Sequence, residues 1–263
     1  MRLTLAEVRP HRGRRPENLA LARACVERAG GADLLAFPEL YLSGYSVGDR
    51  LHRLAISLED PMVGALQELA HDRKTWLLLG TPFTDPSHAG EVQNVALLVG
   101  PEGSTHVQGK RYLPTFGPFE EGRIFTPAPD RKVADTPLGK IGLEICYEVF
   151  FPEVSRTLAL GGADLLLAIS ASPITSRSLF EKLLPARAIE NAAPVAYVNR
   201  VGVEDALVFG GGSGAWDPRG DPLVPRVTDL GPDGRLLEFE LPLSEYRHYR
   251  PMRPVLRDIT ALP

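Results

Sequence analysis

The order of segments along this 263-residue chain predicts an α/β fold built as a single domain. Short apolar runs typical of strands alternate with helical patterns as far as residue 199. Between residues 210 and 241 the chain is rich in Gly and Pro, with short alternating runs that favour β-hairpins. Since no linker, low-complexity stretch or internal repeat interrupts this pattern, we expect mixed sheets and helices to share one body.

Each predicted element follows from its own local pattern. Apolar runs bounded by turn residues predict strands at residues 2–8, 32–37, 76–80, 94–99, 141–146, 164–169 and 195–199. Helical patterns predict helices at residues 16–29, 62–71, 151–160 and 178–192. Pro16 is suitably placed for the first turn of the first helix, where proline is favoured.

Composition narrows the class of protein and its partners. The balance of 29 basic against 33 acidic residues argues against nucleic acid or an anionic membrane as the main partner. Two cysteines in a chain of this length do not make a disulfide framework. No apolar run approaches the roughly 18–20 residues that span a membrane, and no signal peptide precedes the first strand. We therefore expect a cytoplasmic protein.

Cys146 is the first candidate for chemistry. It ends an apolar run that reads as a buried strand, and the segment after it reads as a loop that opens a helix. In α/β proteins this position suits a nucleophile, because helix amides stabilise a thiolate and an oxyanion. Taken singly, a cysteine there is more often a small core residue. The other thiol, Cys25, lies on a helical pattern and is interpreted as inert core.

Two further reactive groups occupy comparable places. Glu39 directly follows the strand predicted at residues 32–37, and Lys110 precedes an aromatic, proline-containing loop. Ligands of α/β sheets bind where strands end, so a thiol, a carboxylate and an ammonium there fit one site. A neighbouring ammonium is expected to lower the pKa of the thiol. Each group alone has an ordinary alternative: Glu39 as a turn cap, Lys110 as a solvated side chain.

Five sequence segments together resemble the nitrilase, or carbon–nitrogen hydrolase, superfamily. They are Phe-Pro-Glu-Leu at 37–40, Ser-Gly-Tyr at 43–45, Lys-Arg-Tyr-Leu-Pro at 110–114, Gly-Leu-Glu-Ile-Cys-Tyr-Glu at 142–148 and Phe-Pro-Glu at 151–153. The order Glu, Lys, Cys matches the catalytic triad of that family. The resemblance runs from the first strand to about residue 241.

The resemblance implies a four-layer αββα sandwich and a mechanism. Glu39 would act as general base, and Cys146 would attack the amide carbon to form a thioester. Lys110 would stabilise the oxyanion, helped by the backbone N–H of Tyr147. The family uses no metal or organic cofactor, and we find no His or Cys cluster in the sequence spaced for zinc.

A second glutamate supports the lysine in many members of this family. Glu121, eleven residues after Lys110, matches its position, with Glu120 as the alternative. Family members form homodimers or larger homo-oligomers, and the resemblance implies the same assembly here. Residues 1–243 are predicted to form the hydrolase domain. Residues 244–263 show little periodicity and are interpreted as a C-terminal extension, either an extended arm on another subunit or a loose terminus.

Several loops resemble one branch of the family, the glutamine-hydrolysing domains of NAD synthetases. These are the segments at 117–125, 170–173, 187–190 and, most specifically, 197–213. In that branch, loops of this kind hold the amino-acid head of glutamine. By position, the resemblance makes Phe116, Ser172 and Arg177 substrate-binding candidates, together with Tyr147.

Two departures from that branch leave the substrate open. Tyr147 and Glu148 follow the cysteine where those synthetases usually have Glu-Asp, and the chain carries no phosphate-gripping loop of a synthetase domain. The protein is therefore expected to hydrolyse an ω-amide such as glutamine alone, or to pass ammonia to a separate synthetase partner. N-carbamoyl amino acids are an alternative, nitriles are disfavoured, and a catalytically silent binding protein is the least favoured reading.

Overall fold

Two mixed β-sheets packed face to face form the interior of the protein. The structure is a computed structural model, and it describes residues 1–85, 87, 90–129 and 132–260. The strands are β1 (Arg2–Val8), β2 (Leu34–Ala36), β3 (Trp76–Phe83), β4 (Gln93–Val99), β5 (Thr105–Gly109), β6 (Ala134–Thr136), β7 (Gly139–Ile145), β8 (Leu165–Ser170), β9 (Val195–Asn199), β10 (Val201–Glu204), β11 (Leu207–Gly210), β12 (Gly214–Trp216), β13 (Arg226–Asp229) and β14 (Gly234–Glu240).

The first sheet has the order β13-β14-β1-β2-β3-β4-β5. Its centre is parallel, with β2 between β1 and β3, and its flanks are antiparallel. The second sheet has the order β12-β9-β8-β7-β6, with β7, β8 and β9 parallel. Strands β10 and β11 form a separate antiparallel ribbon. This ribbon leaves the second sheet directly after β9, which brings it beside the ends of the central strands.

Helices complete the fold. They are α1 (Arg15–Arg28), α2 (Leu51–Leu54), α3 (Pro61–Arg73), α4 (Glu121–Ile124), α5 (Pro152–Leu160), α6 (Arg177–Asn191), α7 (Leu243–Met252) and α8 (Val255–Thr260). Local chemistry sets several of their starts: proline occupies the first turn of α1, α3 and α5. The Asp60 carboxylate accepts a hydrogen bond from the backbone N–H of Met62 and caps α3.

The four-layer αββα arrangement is confirmed by how the strands divide their side chains. In β3 all eight residues are buried. Leu78 faces the second sheet and shares a core cluster with Leu143 of β7. Leu77 points the other way, into a cluster with Leu21 of α1 and Leu66 of α3. Helices α5 and α6 cover the outer face of the second sheet, so both sheets are buried on two sides.

Each predicted strand and helix is present, with shifts of a few residues at its ends. Of the strand predicted at 32–37 only Leu34–Ala36 is a strand, and the strand predicted at 76–80 extends to Phe83. The strand predicted to end at Cys146 ends at Ile145, and Cys146 begins a short 3-10 helix instead. In the part of the chain that the structure describes, no helix is long and apolar enough to span a membrane.

The C-terminal segment differs from both conformations expected for it. It is neither an extended arm nor a loose terminus: α7 and α8 occupy residues 243–260, and residues 261–263 lie outside the described part. Arg247 of α7 pairs with Asp164 at 2.7 Å, which ties the helix to the body of its own chain. The two prolines in this segment hid the helical periodicity. The boundary at residue 243 and packing on another subunit stay predictions.

Candidate active site

Three reactive side chains from different strands converge at one buried point. Glu39 lies three residues beyond β2, Lys110 directly follows β5, and Cys146 directly follows β7. Glu39 and Lys110 are fully buried, and Cys146 is 8% exposed. The first two residues come from one sheet and the third from the other. The interface between the sheets therefore brings together groups that are more than 100 residues apart at the extremes.

The Glu39 carboxylate is held at both oxygens. Oε1 accepts hydrogen bonds from Lys110 Nζ at 2.6 Å and from Asn94 Nδ2 at 2.7 Å. Oε2 accepts one from the backbone N–H of Ala171 at 2.9 Å. A buried carboxylate needs such partners, because leaving it unpaired would cost far more than one hydrogen bond returns. These bonds fix the direction in which the carboxylate points.

Close backbone packing behind Glu39 requires a glycine in β3. A Cβ on Gly80 would lie 2.5 Å from the Cα of Glu39, a distance that side chains do not tolerate. Leu40 has a φ of 50°, a left-handed conformation that is unfavourable for a leucine. Strand β3 and this strained turn together place Glu39 at the bottom of the site. Backbone strain of this kind is concentrated at functional sites.

Lys110 lies between two carboxylates. Its Nζ is 2.6 Å from Glu39 Oε1 and 2.7 Å from Glu121 Oε2, and the hydroxyl of Tyr45 donates to Glu121 Oε1 at 2.8 Å. Burial alone would lower the pKa of Lys110. The negative charges of Glu121 and Glu39 outweigh burial and raise that pKa above its ordinary value, so the ammonium stays protonated.

Of the two glutamates considered for this supporting position, Glu121 is the one in contact with Lys110. Glu120 is exposed and pairs instead with Arg123 on the surface, at 2.9 Å. Burial raises the pKa of Glu121 to about 7, with Lys110 pulling it down and Glu39 pushing it up. The buried group formed by Glu39, Lys110 and Glu121 therefore includes one carboxyl, that of Glu121, which titrates near neutral pH.

The backbone at Cys146 is shaped to present the thiol. Its φ is 51°, which is left-handed and costly for a residue with a Cβ. The fully buried Glu148 holds this bend: its carboxylate accepts the backbone N–H of Ile145 at 2.9 Å and of Arg111 at 2.7 Å. One side chain thereby ties the strand end that carries the thiol to the segment that carries Lys110.

Lys110 lowers the pKa of the Cys146 thiol, as expected, but other effects outweigh this contribution. Burial and the Glu39 charge raise the pKa of Cys146 above its ordinary value, while Lys110 and a hydrogen bond with Ser170 only partly offset them. At rest Cys146 is therefore a thiol, and a thiol needs a base if it is to act as a nucleophile. Glu39 is the carboxylate in the right place to be that base.

An aromatic collar, defined as Tyr45, Phe116, Phe119 and Tyr147, runs from the residue after Cys146 to the tyrosine that bonds Glu121. Phe116 lies 5.3 Å from Tyr147 and 5.6 Å from Phe119, centroid to centroid, and Phe119 lies 6.3 Å from Tyr45. Phe116 is 53% exposed, so it forms the outer rim. Such a group of rings can offer apolar contact to a bound molecule.

Ser172 lies in the loop that follows β8. It is buried, its backbone N–H donates to Asn199 Oδ1 at 2.9 Å, and its carbonyl accepts from Asn199 Nδ2 at 3.0 Å. It follows Ala171, whose backbone N–H holds Glu39. The loop that carries Ser172 is thus tied to Glu39 by its own backbone.

Arg177, the last of the predicted binding residues, lies at the surface. It is the first residue of α6 and forms an ion pair with Glu181 at 2.9 Å, with its side chain about half exposed. The position of a Cβ on Gly212 would be 3.5 Å from its Nε. The structure therefore places Arg177 near the glycine-rich loop after β11, outside the buried cluster.

Several contributors to the site were not named as functional from the sequence. They are Tyr45, Asn94 and Ser170, which bond Glu121, Glu39 and Cys146, and Glu148, which bonds the backbone of residues next to Cys146 and Lys110. Three of them lie inside the family-like segments at 43–45, 142–148 and 170–173, which was the available signal. Across the described residues, no group of three or more His, Cys, Asp or Glu is arranged to hold a metal ion.

Comparison with known proteins identifies the family. Residues 2–251 match the family model described as carbon–nitrogen hydrolase. An (R)-stereoselective amidase of a Pseudomonas species is 33% identical over 262 residues, covering 98% of this chain and 91% of the relative. The glutamine-dependent NAD(+) synthetase of Thermotoga maritima is 35% identical over 228 residues, covering 84% of this chain. The match spans only 39% of that synthetase.

Solved structures give the same result. The NitN amidase of Neterenkonia sp. AN1 is 33% identical with a TM-score of 0.80, covering 96% of this chain and 97% of the amidase. For that amidase, structures show covalent addition of the acetamide moiety of fluoroacetamide at the active-site cysteine, and a complex of a cysteine-to-alanine variant with butyramide. This chain belongs to the carbon–nitrogen hydrolase family and is a hydrolase of C–N bonds in amides.

Proposed function

We propose that the protein cleaves a small linear amide through a cysteine thioester, with release of ammonia. One observation carries this proposal: Cys146 directly follows β7, beside a carboxylate and an ammonium that are both fully buried and 2.6 Å apart. A thiol, a base and an oxyanion donor are the three components that acyl transfer to cysteine needs. Glu39, Lys110 and Cys146 supply them.

In the first half-reaction, Glu39 takes the proton of Cys146 as the sulfur attacks the amide carbon. The carbonyl oxygen becomes an oxyanion, which Lys110 and the backbone N–H of Tyr147 stabilise. One such donor is worth about 3–4 kcal/mol in comparable acyl transfers. As the tetrahedral intermediate collapses, the C–N bond breaks and Glu39 returns the proton to the leaving nitrogen, which departs as ammonia.

In the second half-reaction, water replaces the nitrogen. Glu39 removes a proton from the water as it attacks the thioester carbon, and Lys110 again stabilises the oxyanion. The C–S bond then breaks, the acid leaves, and the proton returns to Cys146. Glu121 has a positioning part: it holds Lys110 from the side opposite Glu39 and keeps the ammonium charged.

We further propose an ω-amide such as glutamine as the substrate. The 35% identity to the hydrolysing portion of a glutamine-dependent synthetase supports this choice. In this reading Phe116, Ser172 and Arg177 contact the amino-acid head and Tyr147 the amide end. A simple aliphatic amide is the second candidate, because a relative at 32% identity binds butyramide and the collar here is apolar.

Supply of ammonia to a separately encoded NAD synthetase is a variant of the same proposal. N-carbamoyl amino acids are a further alternative, since the same three groups serve a carbamoyl carbon. We also keep a cytoplasmic location and a homodimer or larger assembly as parts of the proposal. Light scattering of the purified protein measures the assembly directly.

The test is an ammonia-release assay on glutamine, butyramide, N-carbamoyl-β-alanine and a simple nitrile. Cys146→Ala serves as the blank and Cys25→Ala as the matched control. We expect release from an amide that disappears with Cys146→Ala and persists with Cys25→Ala. Release from glutamine in preference to butyramide supports the ω-amide; the reverse order assigns a simple aliphatic amidase. Equal activity of the Cys146→Ala protein would overturn the thioester mechanism.

A further inference from the structure

The ribbon of β10 and β11 sends one carboxylate into the protein beside the active site. Glu204, the last residue of β10, is 4% exposed. Its Oε2 accepts hydrogen bonds from the backbone N–H of Tyr45 at 2.8 Å and of Ser46 at 2.7 Å. A single buried carboxylate therefore fixes the backbone of the loop that follows Glu39.

From that loop, polar contacts continue to Lys110. The hydroxyl of Tyr45 donates to Glu121 Oε1 at 2.8 Å, and Glu121 Oε2 lies 2.7 Å from Lys110 Nζ. Tyr45 thus spans the distance between two carboxylates, with its backbone N–H on Glu204 and its hydroxyl on Glu121. Charge-assisted hydrogen bonds of this kind are short and directional, so Tyr45 restricts the position of Glu121, which contacts Lys110.

A buried arginine holds Glu204 from behind. Arg200 is 1% exposed, and its Nη2 lies 2.5 Å from Glu204 Oε1. The guanidinium also lies over the ring of Phe209 in β11, 4.4 Å from the centroid. A buried ion pair of this kind contributes little net stability but enforces one geometry. Arg200 and Phe209 leave Glu204 a single position from which it reaches the Tyr45 backbone.

The loop around Tyr45 is shaped to admit this carboxylate. Gly44 has a φ of +76°, and a Cβ there would lie 3.0 Å from Glu204 Oε1 and 2.9 Å from the Cα of Arg12. A side chain at this position would therefore push Glu204 away from the loop. At the turn of the ribbon, Arg12 pairs with Asp205 at 2.6 Å, which holds the ribbon against the same loop.

We propose, building on the amide hydrolysis proposed above, that Glu204 is a positioning residue for Lys110. Through Tyr45 and Glu121 it holds the ammonium where the oxyanion of the tetrahedral intermediate forms. Arg200 in turn fixes Glu204. The ribbon therefore serves the chemical step although it belongs to neither of the two main sheets.

A double-mutant cycle tests this role with the amide found in the substrate panel. Glu204→Gln is expected to lower kcat about 10-fold, with KM within about twofold, because the oxyanion donor is displaced and not removed. Tyr45→Phe removes the hydroxyl bond to Glu121 and is expected to lower kcat by a similar factor. In the Tyr45→Phe background, Glu204→Gln should change kcat by less than about twofold. Losses that multiply would overturn the proposal.

Alkylation of Cys146 by iodoacetamide separates positioning from general disorder of the site. Displacement of iodide passes through no oxyanion, so Glu204→Gln should alkylate within about threefold of the parent rate while hydrolysis falls. A parallel fall in both rates would contradict the role. Asp164→Asn is the matched control, since Asp164 also accepts a backbone N–H, from Lys140, and pairs with an arginine. An equal loss of kcat in that variant would assign the effect to stability alone.

Two further variants cover the cases in which Glu204→Gln does not fold or the proposed mechanism itself fails. If Glu204→Gln does not fold, Glu204→Asp retains the charge facing Arg200 but is one methylene shorter; it should show the same kcat loss and the same non-additivity with Tyr45→Phe. Lys110→Ala separates this inference from the proposed function. A fully active Lys110→Ala protein refutes the proposed mechanism itself. An inactive Lys110→Ala with an unaffected Glu204→Gln refutes only the positioning role.

Discussion

The two cysteines of this protein share burial and differ in their neighbours. Cys25 on α1 is fully buried and Cys146 is 8% exposed. Burial raises the pKa of Cys25 to about 12, and it also raises that of Cys146 above its ordinary value. Neither thiol is therefore ionised at neutral pH in the resting protein. Thiolate content alone does not distinguish a nucleophile from a core residue here.

What distinguishes them is the chemistry within reach. Cys25 packs among apolar residues of α1 and the first sheet, and the distant Asp233 is the one charge that raises its pKa. Cys146 faces Glu39 and Lys110, one able to accept its proton and the other to stabilise the product of attack. The comparison predicts that Cys146 reacts because of the groups arranged around it and not because of a preformed thiolate.

Replacement of the two thiols gives the largest expected contrast. Cys146→Ala should lower kcat/KM by more than about 10⁴-fold, because removal of a nucleophile leaves only binding and oxyanion stabilisation. Cys25→Ala should retain turnover and lose up to about 2 kcal/mol of unfolding free energy through the cavity it leaves. Ammonia release and urea denaturation measure the two effects. Activity lost equally in both proteins would contradict the comparison.

The second largest effect is expected from replacing Glu39, the proposed general base. Glu39→Gln keeps the shape of the side chain but removes proton acceptance, and kcat should fall about 10²–10⁴-fold. Alkylation of Cys146 by iodoacetamide near neutral pH should also slow, while that of Cys25 in unfolded protein stays the same. Rapid alkylation of Cys146 in the variant would mean that its thiolate forms without Glu39.

The next prediction concerns how the free energy of unfolding depends on pH, because burial shifts the pKa of Glu121. Burial raises the pKa of Glu121 to about 7 from an ordinary value of 4.5, so the folded protein binds this proton more tightly than the unfolded chain. The free energy of unfolding should therefore decrease as pH rises from about 4.5 to about 7. Denaturation across this range, with Glu121→Gln as the variant that flattens it, makes the measurement. An unchanged slope in the variant would assign the titration elsewhere.

The smallest effect is expected at the collar. Phe116 is half exposed, and Phe116→Ala removes apolar contact with substrate while leaving the buried charges untouched. We expect KM to rise about 3–10-fold with kcat within about twofold, since binding lost equally in ground and transition states affects KM alone. Steady-state kinetics on glutamine and butyramide measure it. A fall in kcat without a change in KM would instead indicate that Phe116 contributes to the chemical step.

Local sequence was sufficient for the fold class and for most elements. Apolar runs such as residues 76–80 and 164–169 read as strands because buried parallel strands are nearly continuous in apolar residues. The helical tail escaped prediction because Pro251 and Pro254 break the periodicity on which such predictions depend. Strand β2 proved shorter than predicted. Phe37 and Pro38 still form backbone hydrogen bonds with β3, and the chain then turns at Leu40, which is left-handed.

The chemistry-bearing residues could be identified because they lie next to strand ends within short, recognisable segments. Glu39, Lys110 and Cys146 are local features of the chain, and their order is visible without a fold. Their supports are a different matter. Asn94, Tyr45 and Glu204 acquire a role only when strands remote in sequence become neighbours. Hydrogen-bond partners depend on distances of a fraction of an ångström, which no sequence pattern records.

The direction in which the pKa of Cys146 shifts shows most clearly what the sequence could predict and what it could not. The residue types in the site were readable from the sequence, and a thiol beside an ammonium was expected to ionise more readily. The fold buries both groups and places a second carboxylate against Lys110, so desolvation outweighs the attraction of the ammonium. Charge pairs follow from residue identity, but the balance between attraction and desolvation depends on depth of burial, and burial is a property of the packed protein.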